Sequence, residues 1–416
     1  MNISEFGRKM TCGAGILSLM DDLGQAMAAG DTIMMGGGNP GHIPALQELM
    51  AARLRRIADD SDLLRRMIGI YDPPSGEREF VQSMAALLRR EYGWQVGPEH
   101  ICLTNGSQSG FFSLFNLFAG RFGDGTCKKI RLPMAPEYIG YADLGLTDDF
   151  FVATRPTIDL LDDHLFKYRV NFADMNIGEE TGAICISRPT NPTGNVITDG
   201  EVAELDRLAR RHDVPLILDN AYGLPFPGII YTEAQPFWNE NTVVCLSLSK
   251  LGLPAARTGI VVARPEIIRA LTAMNAVINL APGSFGAMLA MDMVASGDIL
   301  NFGQQVVRPF YQAKAAKAVA GFREALKGVP YRIHKPEGAM FLWLWFEGLP
   351  VSSLELYDRL KARGVLVVSG HYFFPGLQGG WQHSRECLRV TYSQDDDQVA
   401  QGIRLIGDEV KKIYGC

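Results

Sequence analysis

Apolar residues in the middle of the chain fall in short continuous runs separated by helical patterns. Residues 100–104 (HICLT) lead into SGFFSLFNLFAG, and residues 183–187 (AICIS) lead through a turn into EVAELDRLARRH. Residues 214–219 (VPLILD), 242–249 (TVVCLSLS) and 259–263 (GIVVA) follow in turn. These runs are apolar at successive positions rather than at every second one. Each therefore predicts a strand covered on both faces, and such strands separated by helices predict a mostly parallel sheet sheathed by helices. The fold class is α/β. Ligands of such a sheet sit beyond the carboxyl ends of its strands.

From about Gly283 the texture changes. A long helical pattern, VRPFYQAKAAKAVAGFREALK, precedes the short runs YRIHK, AMFLWLWF, GVLVVS and CLRVTY, an α+β order that suits a second domain. A chain of 416 residues is too long for one core. The expected division is an N-terminal arm over 1–45 joining the small domain, a large ligand-binding domain over 46–285, and a small domain over 286–416. Trp343 and Trp345 stand in a run apolar throughout and read as core. No internal repeat, low-complexity tract or long charge run interrupts this plan.

Composition narrows the class. With 47% apolar and 21% charged residues the chain reads as an ordinary globular enzyme, and a net charge of −6 argues against nucleic acid as its main partner. The seven cysteines (12, 102, 127, 185, 245, 387 and 416) form no CxxC pair, and Cys185 and Cys245 lie inside apolar runs. That usage fits a reducing compartment better than a disulfide framework. The first residues lack the continuous apolar core of a signal peptide, and no segment reaches the length of a membrane span. The expectation is a soluble, cytoplasmic protein with no membrane association. None of the seven histidines pairs at metal-ligand spacing, so His371 and His383 read as loop residues and no metal site is expected.

The chemistry stands where the strands end. After HICLT comes NGSQ, a small polar turn opening a helix, whose free N–H groups and hydroxyls suit an anion such as phosphate. After AICIS comes RPTNPTG with Asn191. Asp219 closes VPLILD and is followed by Asn220, Ala221 and Tyr222. Lys250 follows TVVCLSLS, with Arg257 seven residues on. Taken singly, Ser107 reads as a helix cap, Asn191 as a turn former, Asp219 as a cap, Lys250 as a solvated strand end and Arg257 as a surface charge. Parallel-sheet topology carries all of them to one edge. Arg188, next to the turn, reads equally as an anion ligand or a surface ion pair. Gly36, Gly38 and Gly41 match the dinucleotide pattern GxGxxG. The helix that follows leads to the turn YDPPSG, where a dinucleotide fold needs a second strand. These glycines read instead as a place where backbone approaches a ligand closely.

Pyridoxal phosphate chemistry uses this set. A lysine amine binds the cofactor aldehyde and moves protons. An aspartate holds the pyridine nitrogen protonated, and a phenol and an amide bond the ring oxygen. Hydroxyls, helix-start amides and an arginine hold the phosphate.

In order along the chain, NPTG (191–194), DNAY (219–222), SLSK (247–250), Arg257, EGAMFLW (337–343) and LRVTY (388–392) resemble the motifs of fold-type I aminotransferases. The resemblance spans nearly the whole chain. It implies Lys250 as the cofactor-bearing lysine, Asp219 as partner of the ring nitrogen, and Asn191 and Tyr222 as donors to the ring oxygen. It implies Ser107, Gln108, Ser247 and Arg257 as the phosphate cup and Tyr138 as the aromatic stacked on the ring. The seven-residue step from Lys250 to Arg257 is one shorter than in many of the family. The resemblance further implies that Arg389 grips the substrate α-carboxylate, with Gly38 in the loop closing over it. Tyr71 would reach the cofactor phosphate of a second subunit, which makes a homodimer the expected assembly. A narrower resemblance rests on GGGNPGHIPALQ, LTNGSQSGFFSLFNLFAGR, APEYIGYADLGL, SRPTNPTGNVITD and DNAYGLPFPGII. It points to a branch exchanging amino groups between valine- or alanine-type amino acids and 2-oxo acids, in two half-reactions through the pyridoxamine form of the cofactor. The rival readings are a carbon–sulfur β-lyase with the same fold, an aminotransferase of other specificity, a ligand-sensing regulator (disfavoured because no DNA-binding domain precedes the fold), and, last, a nicotinamide dehydrogenase.

Overall fold

In the structure, a computed structural model that describes residues 2–11, 17, 21, 24 and 32–416, the apolar runs pair into one eight-stranded sheet. The rest of the expected N-terminal arm, Cys12 included, lies outside the described residues. The strands run in the order Ile101–Asn105, Thr258–Val262, Thr242–Ser247, Leu216–Asp219, Thr181–Ser187, Cys127–Leu132 and Gly120–Arg121, and Phe151–Ala153 also pairs with Cys127–Leu132. Pairing is parallel from Thr242–Ser247 through Leu216–Asp219 and Thr181–Ser187 to Cys127–Leu132. Thr258–Val262 runs antiparallel to both of its neighbours.

The continuous apolar runs have a direct explanation. Side chains alternate between faces along a strand, and both faces of this sheet are buried. Cys185, Ile217, Val243, Cys245 and Val261 pack with Phe111, Leu114 and Phe115 of the helix Ser107–Phe118 in one core cluster. Ile184, Ile186, Leu216, Leu218, Val244 and Leu246 belong to the other.

A second, six-stranded sheet runs Val368–Ser369, Cys387–Thr391, Phe341–Phe346, Tyr331–His334, Leu165–Arg169 and Thr157–Leu160. Its first four strands come from the predicted C-terminal runs. The last two form a hairpin from within the span expected for the large domain. Phe166 and Tyr168 of this hairpin are buried against His334 and His383, and burying an aromatic side chain of this size contributes about 2–3 kcal/mol. Lys167, between them, forms a buried ion pair with Glu337 and donates to the Val196 carbonyl at 3.0 Å, tying this sheet to the turn after residue 191. The run GVLVVS is two strands, not one. Val365–Leu366 pairs in parallel with Ile33–Met34, whereas Val368–Ser369 pairs with Cys387–Thr391. The helices Arg308–Ala325 and Asp396–Tyr414 pack against each other beside these strands. Trp343 is fully buried with its indole N–H on Tyr168 Oη at 3.0 Å; Trp345 is only half-buried and donates to Glu386 at 2.9 Å. His383 is buried too, hydrogen-bonded to Tyr168, so it is a core residue rather than a loop one. Among the described residues, no helix is long and apolar enough to cross a membrane.

Candidate active site

The sheet brings its polar ends together by register. Ser187 and Cys245 lie opposite Asp219 on the flanking strands. By period two, Ser187, Asp219 and Ser247 project on the same face as Cys185, Ile217 and Cys245, beneath the helix Ser107–Phe118. The reversed strand Thr258–Val262 accounts for Arg257. Because it runs antiparallel, its beginning lies at the edge where the parallel strands end, opposite Asn105. The chain leaves that edge at Ser247, turns through Lys250 and returns at Arg257, which takes the left-handed conformation (φ 47°). Gly106, φ 82°, caps the helix Ser107–Phe118, and a Cβ built there would fall 2.1 Å from Arg257 Nη2. Only glycine lets the guanidinium lie against the helix start. Helix-end N–H groups, the Ser107 and Ser247 hydroxyls and a cation thus line one end of the cleft, a cradle for a phosphate.

Asp219 is buried at the cleft floor. Its Oδ1 accepts the Ala221 N–H at 2.9 Å and its Oδ2 the Tyr141 hydroxyl at 2.6 Å, which leaves lone pairs free for one more donor. Burial raises its pKa, opposed by the hydrogen bonds from Tyr141 and Ala221 and by the charge of Lys250. Lys250 is half-buried, with Nζ donating to the Gly38 carbonyl at 2.7 Å and standing 5.4 Å from the centre of the Tyr222 ring. Burial presses its pKa down to about 8, helped by the charges of Arg389 and Arg257 and opposed by Asp219. An amine tuned toward neutrality is a competent nucleophile and proton carrier.

Arg389 lies on Cys387–Thr391 of the second sheet and is buried. Nη1 donates to Asn191 Oδ1 at 2.8 Å and Nη2 to the Gly36 carbonyl at 2.5 Å, and the guanidinium lies 4.3 Å and 5.2 Å from the ring centres of Phe341 and Phe373. Nε has no partner, and no carboxylate pairs with Arg389 among the described residues. Burial lowers its pKa to about 10. A buried cation held only by neutral acceptors is an uncompensated charge that an anionic ligand relieves. Since a guanidinium only donates, Asn191 must present its oxygen to Arg389, which leaves its amide hydrogens for the cleft. Gly36 is required by close approach, as its Cβ would meet the Val367 carbonyl oxygen at 2.7 Å.

Every residue the resemblance assigns to this site lines the cleft except Tyr71: Gly38, Ser107, Gln108, Tyr138, Asn191, Asp219, Tyr222, Ser247, Lys250, Arg257 and Arg389 are all there, as is Gly36, whereas Gly41 does not line it and instead packs where a Cβ would meet the Ser393 carbonyl oxygen at 2.7 Å. Tyr71 is 82% exposed and is not brought to the cleft of its own chain. Gln108 anchors the wall through Nε2 to the Gly140 carbonyl at 2.8 Å. Arg188 faces no ligand space; it donates to the Ile197 and Gln235 carbonyls and to Asp199 at 2.5 Å. Sequence reasoning missed Tyr141, Ser187, Glu137 and the two phenylalanines framing Arg389. Only Tyr141 carried a signal, three residues after Tyr138 in YIGY, one turn of the short 3₁₀ helix Ile139–Tyr141. The donor set fits pyridoxal phosphate: a cradle for the phosphate, a buried carboxylate for the ring nitrogen and an amine between them. Among the described residues, no group of three or more His, Cys, Asp and Glu side chains is placed to hold a metal ion.

Comparison with known proteins agrees in kind. Residues 153–406 match the family model described as aminotransferase class I and II. The chain is 49% identical over 414 residues to the valine–pyruvate aminotransferase of Escherichia coli (strain K12), covering 100% of this chain and 99% of that one. The crystal structure of valine–pyruvate aminotransferase from Salmonella typhimurium LT2 superposes with a TM-score of 0.89 at 49% identity, covering 96% of this chain and 100% of that one. A crystal structure of a Psychrobacter arcticum 273-4 protein gives a TM-score of 0.97 at 46% identity, covering 100% and 99% of the two chains.

Proposed function

The chain belongs to the class I and II aminotransferases, enzymes that use pyridoxal 5′-phosphate, and from that premise we propose that it exchanges the amino group of valine with pyruvate, giving 2-oxoisovalerate and alanine. Bound pyridoxal phosphate supplies an aldehyde carbon that takes up the amino group and a ring that withdraws electrons from the reacting carbon. In this reading Lys250 would hold the cofactor and would serve as the base that takes up the substrate α-proton. Asp219, fixed by Tyr141, keeps the ring nitrogen protonated. Tyr222 and Asn191 donate to the ring oxygen, and Tyr138 stacks on the ring. Arg257, Ser107, Gln108 and Ser247 hold the phosphate. Arg389 takes the α-carboxylate under the Gly38 loop.

The observation that carries the specificity is a charge count. Three cations line the cleft, Lys250, Arg257 and Arg389. The cofactor aldehyde, its phosphate and one carboxylate engage all three. None remains in this chain for a second carboxylate, which favours an uncharged substrate side chain over that of aspartate or glutamate. The full-length likeness to the Escherichia coli enzyme supports valine and alanine within that class. One methylene in an apolar pocket discriminates only about 10- to 200-fold, so other aliphatic donors should react more slowly. Initial rates over a panel of donors with pyruvate test the reading. Valine fastest among branched donors, and aspartate and glutamate at least about 100-fold slower, is the expected order. A faster dicarboxylate overturns the specificity, and release of pyruvate and ammonia from a cysteine-type substrate in place of transamination makes the enzyme a β-lyase.

The proposed assembly is a two-fold homodimer. Ile68, Ile70, Tyr71, Val277, Leu280 and Phe285 are exposed apolar side chains, and the Ser284 hydroxyl on Asp72 at 2.6 Å ties the two segments that carry them into one surface. A second copy covering this surface would bury Tyr71 beside a neighbouring cleft. The six cysteines among the described residues are free, which supports a reducing, cytoplasmic setting.

A further inference from the structure

The roles above use Asp219 and leave a second carboxyl group beside it without one. Glu137 has no exposed surface. Its Oε1 accepts the Ser187 N–H at 2.8 Å, and its Oε2 accepts the Ser187 hydroxyl at 2.7 Å and the Tyr138 N–H at 3.0 Å. No lysine, arginine or histidine pairs with it among the described residues. Ser187 Oγ stands 3.3 Å from Tyr141 Oη, and Tyr141 donates to Asp219 Oδ2 at 2.6 Å. Three contacts in series therefore join the two carboxyl groups, which lie within about 9 Å of each other.

We propose that Glu137 is a positioning residue for the electron-withdrawing site: through Ser187 and Tyr141 its ionisation state sets how strongly Asp219 supports a protonated ring nitrogen. The inference rests on the cofactor reading given above. Proton counting gives the direction. When Glu137 is ionised, the Ser187 proton is committed to it and the Tyr141 proton to Asp219, so the 3.3 Å contact between the hydroxyls holds no proton. Two carboxylate charges then face the ring end of the cleft. When Glu137 is protonated, its O–H turns to Ser187 Oγ and releases the Ser187 proton to Tyr141 Oη. The continuous chain makes Tyr141 a stronger donor to Asp219. One charge is lost and Asp219 becomes less basic, so both changes weaken the hold on a ring N–H⁺.

Burial pushes the Glu137 pKa up to about 7 and the charge of Asp219 adds to this, while the Ser187 and Tyr138 hydrogen bonds oppose it. The switch thus falls in the working range of pH. The titratable groups facing Glu137 are Asp219, Tyr138, Tyr141 and Cys185, and burial raises the pKa of all four. Tyr138 in turn faces Arg389 and Arg257.

The test uses the cofactor-loaded enzyme and its Glu137→Gln variant, followed by the absorbance titration of the bound cofactor and by kcat against pH. Removing a negative charge at this distance should lower the midpoint of the cofactor titration by about one pH unit. It should also abolish an acidic inflection of kcat near pH 7, while KM for the amino acid stays within about threefold. Ser187→Ala keeps the carboxyl but removes both a donor to its ionised form and the hydroxyl that links it to Tyr141, so the acidic inflection should move to higher pH and shrink to what the Glu137 charge alone produces. An unmoved cofactor midpoint, or an acidic inflection that persists unchanged in Glu137→Gln, overturns the proposal. Should that variant fail to fold, Ser187→Ala decides alone, and an inflection there that is neither shifted nor diminished is equally fatal. A wild-type protein that does not take up pyridoxal phosphate would instead count against the cofactor site itself.

Discussion

Arg389→Gln should separate stability from activity. The guanidinium is 3% exposed and has no anionic partner among the described residues. Its pKa falls to about 10 because burial disfavours the charge. A cation whose folded pKa is depressed destabilises the fold at every pH below that value and is relieved as pH rises from about 10 toward the ordinary guanidinium value. At neutral pH the full penalty applies, on the order of 3 kcal/mol. Glutamine removes the charge and keeps an amide donor within reach of Asn191 or the Gly36 carbonyl, at the loss of one charge-assisted hydrogen bond worth about 1.5–3 kcal/mol. The melting temperature of the variant should therefore hold or rise. Activity should move the other way. Deleting one partner of a buried charge pair costs about 2–5 kcal/mol, which is roughly 30- to 5,000-fold in kcat/KM for valine and for pyruvate. The assay is steady-state kinetics on cofactor-loaded protein beside thermal melts. An amine without a carboxylate, such as isobutylamine, serves as control; it should react poorly with both proteins and lose little more in the variant. A variant within tenfold of wild type for valine, or one equally impaired toward the simple amine, would refute the assignment of Arg389 to the carboxylate.

Asp219→Asn should fold and bind cofactor yet lose about 10²-fold or more in kcat, since a neutral amide cannot hold the ring nitrogen protonated; near-normal kcat would contradict the role. Gly36→Ala and Gly38→Ala should differ. The first drives Cβ to 2.7 Å from the Val367 carbonyl oxygen and should destabilise the protein by about 1–3 kcal/mol while displacing the acceptor of Arg389. The second meets only Lys250 Nζ at 3.6 Å, so its melt should stay normal and the loss should appear in catalysis; equal melts for the two variants would count against this packing account. Mixing inactive Lys250→Ala with a Tyr71 variant that binds cofactor poorly should restore activity through hybrid dimers having one site with both native residues. Hybrids that form and stay inactive would confine Tyr71 to its own chain.

The central sheet was legible because burial on both faces leaves a mark that needs no partner to be seen: Ala183–Ser187, Leu216–Asp219 and Thr242–Ser247 are apolar at consecutive positions. Parallel topology then carried Asn191, Asp219 and Lys250 to one edge. The antiparallel course of Thr258–Val262 was not legible, since its apolar run is the same read in either direction, although it is what returns Arg257 to the site. The hairpin Thr157–Arg169 escaped because the exposed ends of TIDL blur its period and because its partner, Tyr331–His334, lies more than 150 residues away. Glu137, Ser187 and Tyr141 escaped for a similar reason. A glutamate beside a tyrosine looks like surface until the strand Thr181–Ser187 is laid against it, and only then does the carboxyl group become buried. His383 was misread because its burial depends on Tyr168 of that unforeseen hairpin.

The most direct test of the site is chemical. Holoenzyme reduced with borohydride and digested should carry the phosphopyridoxyl group on the peptide containing Lys250, about one per chain, and Lys250→Ala should still bind the cofactor but show no such label. A label on any other lysine, or unlabelled protein that nonetheless transaminates valine with pyruvate, would contradict the account.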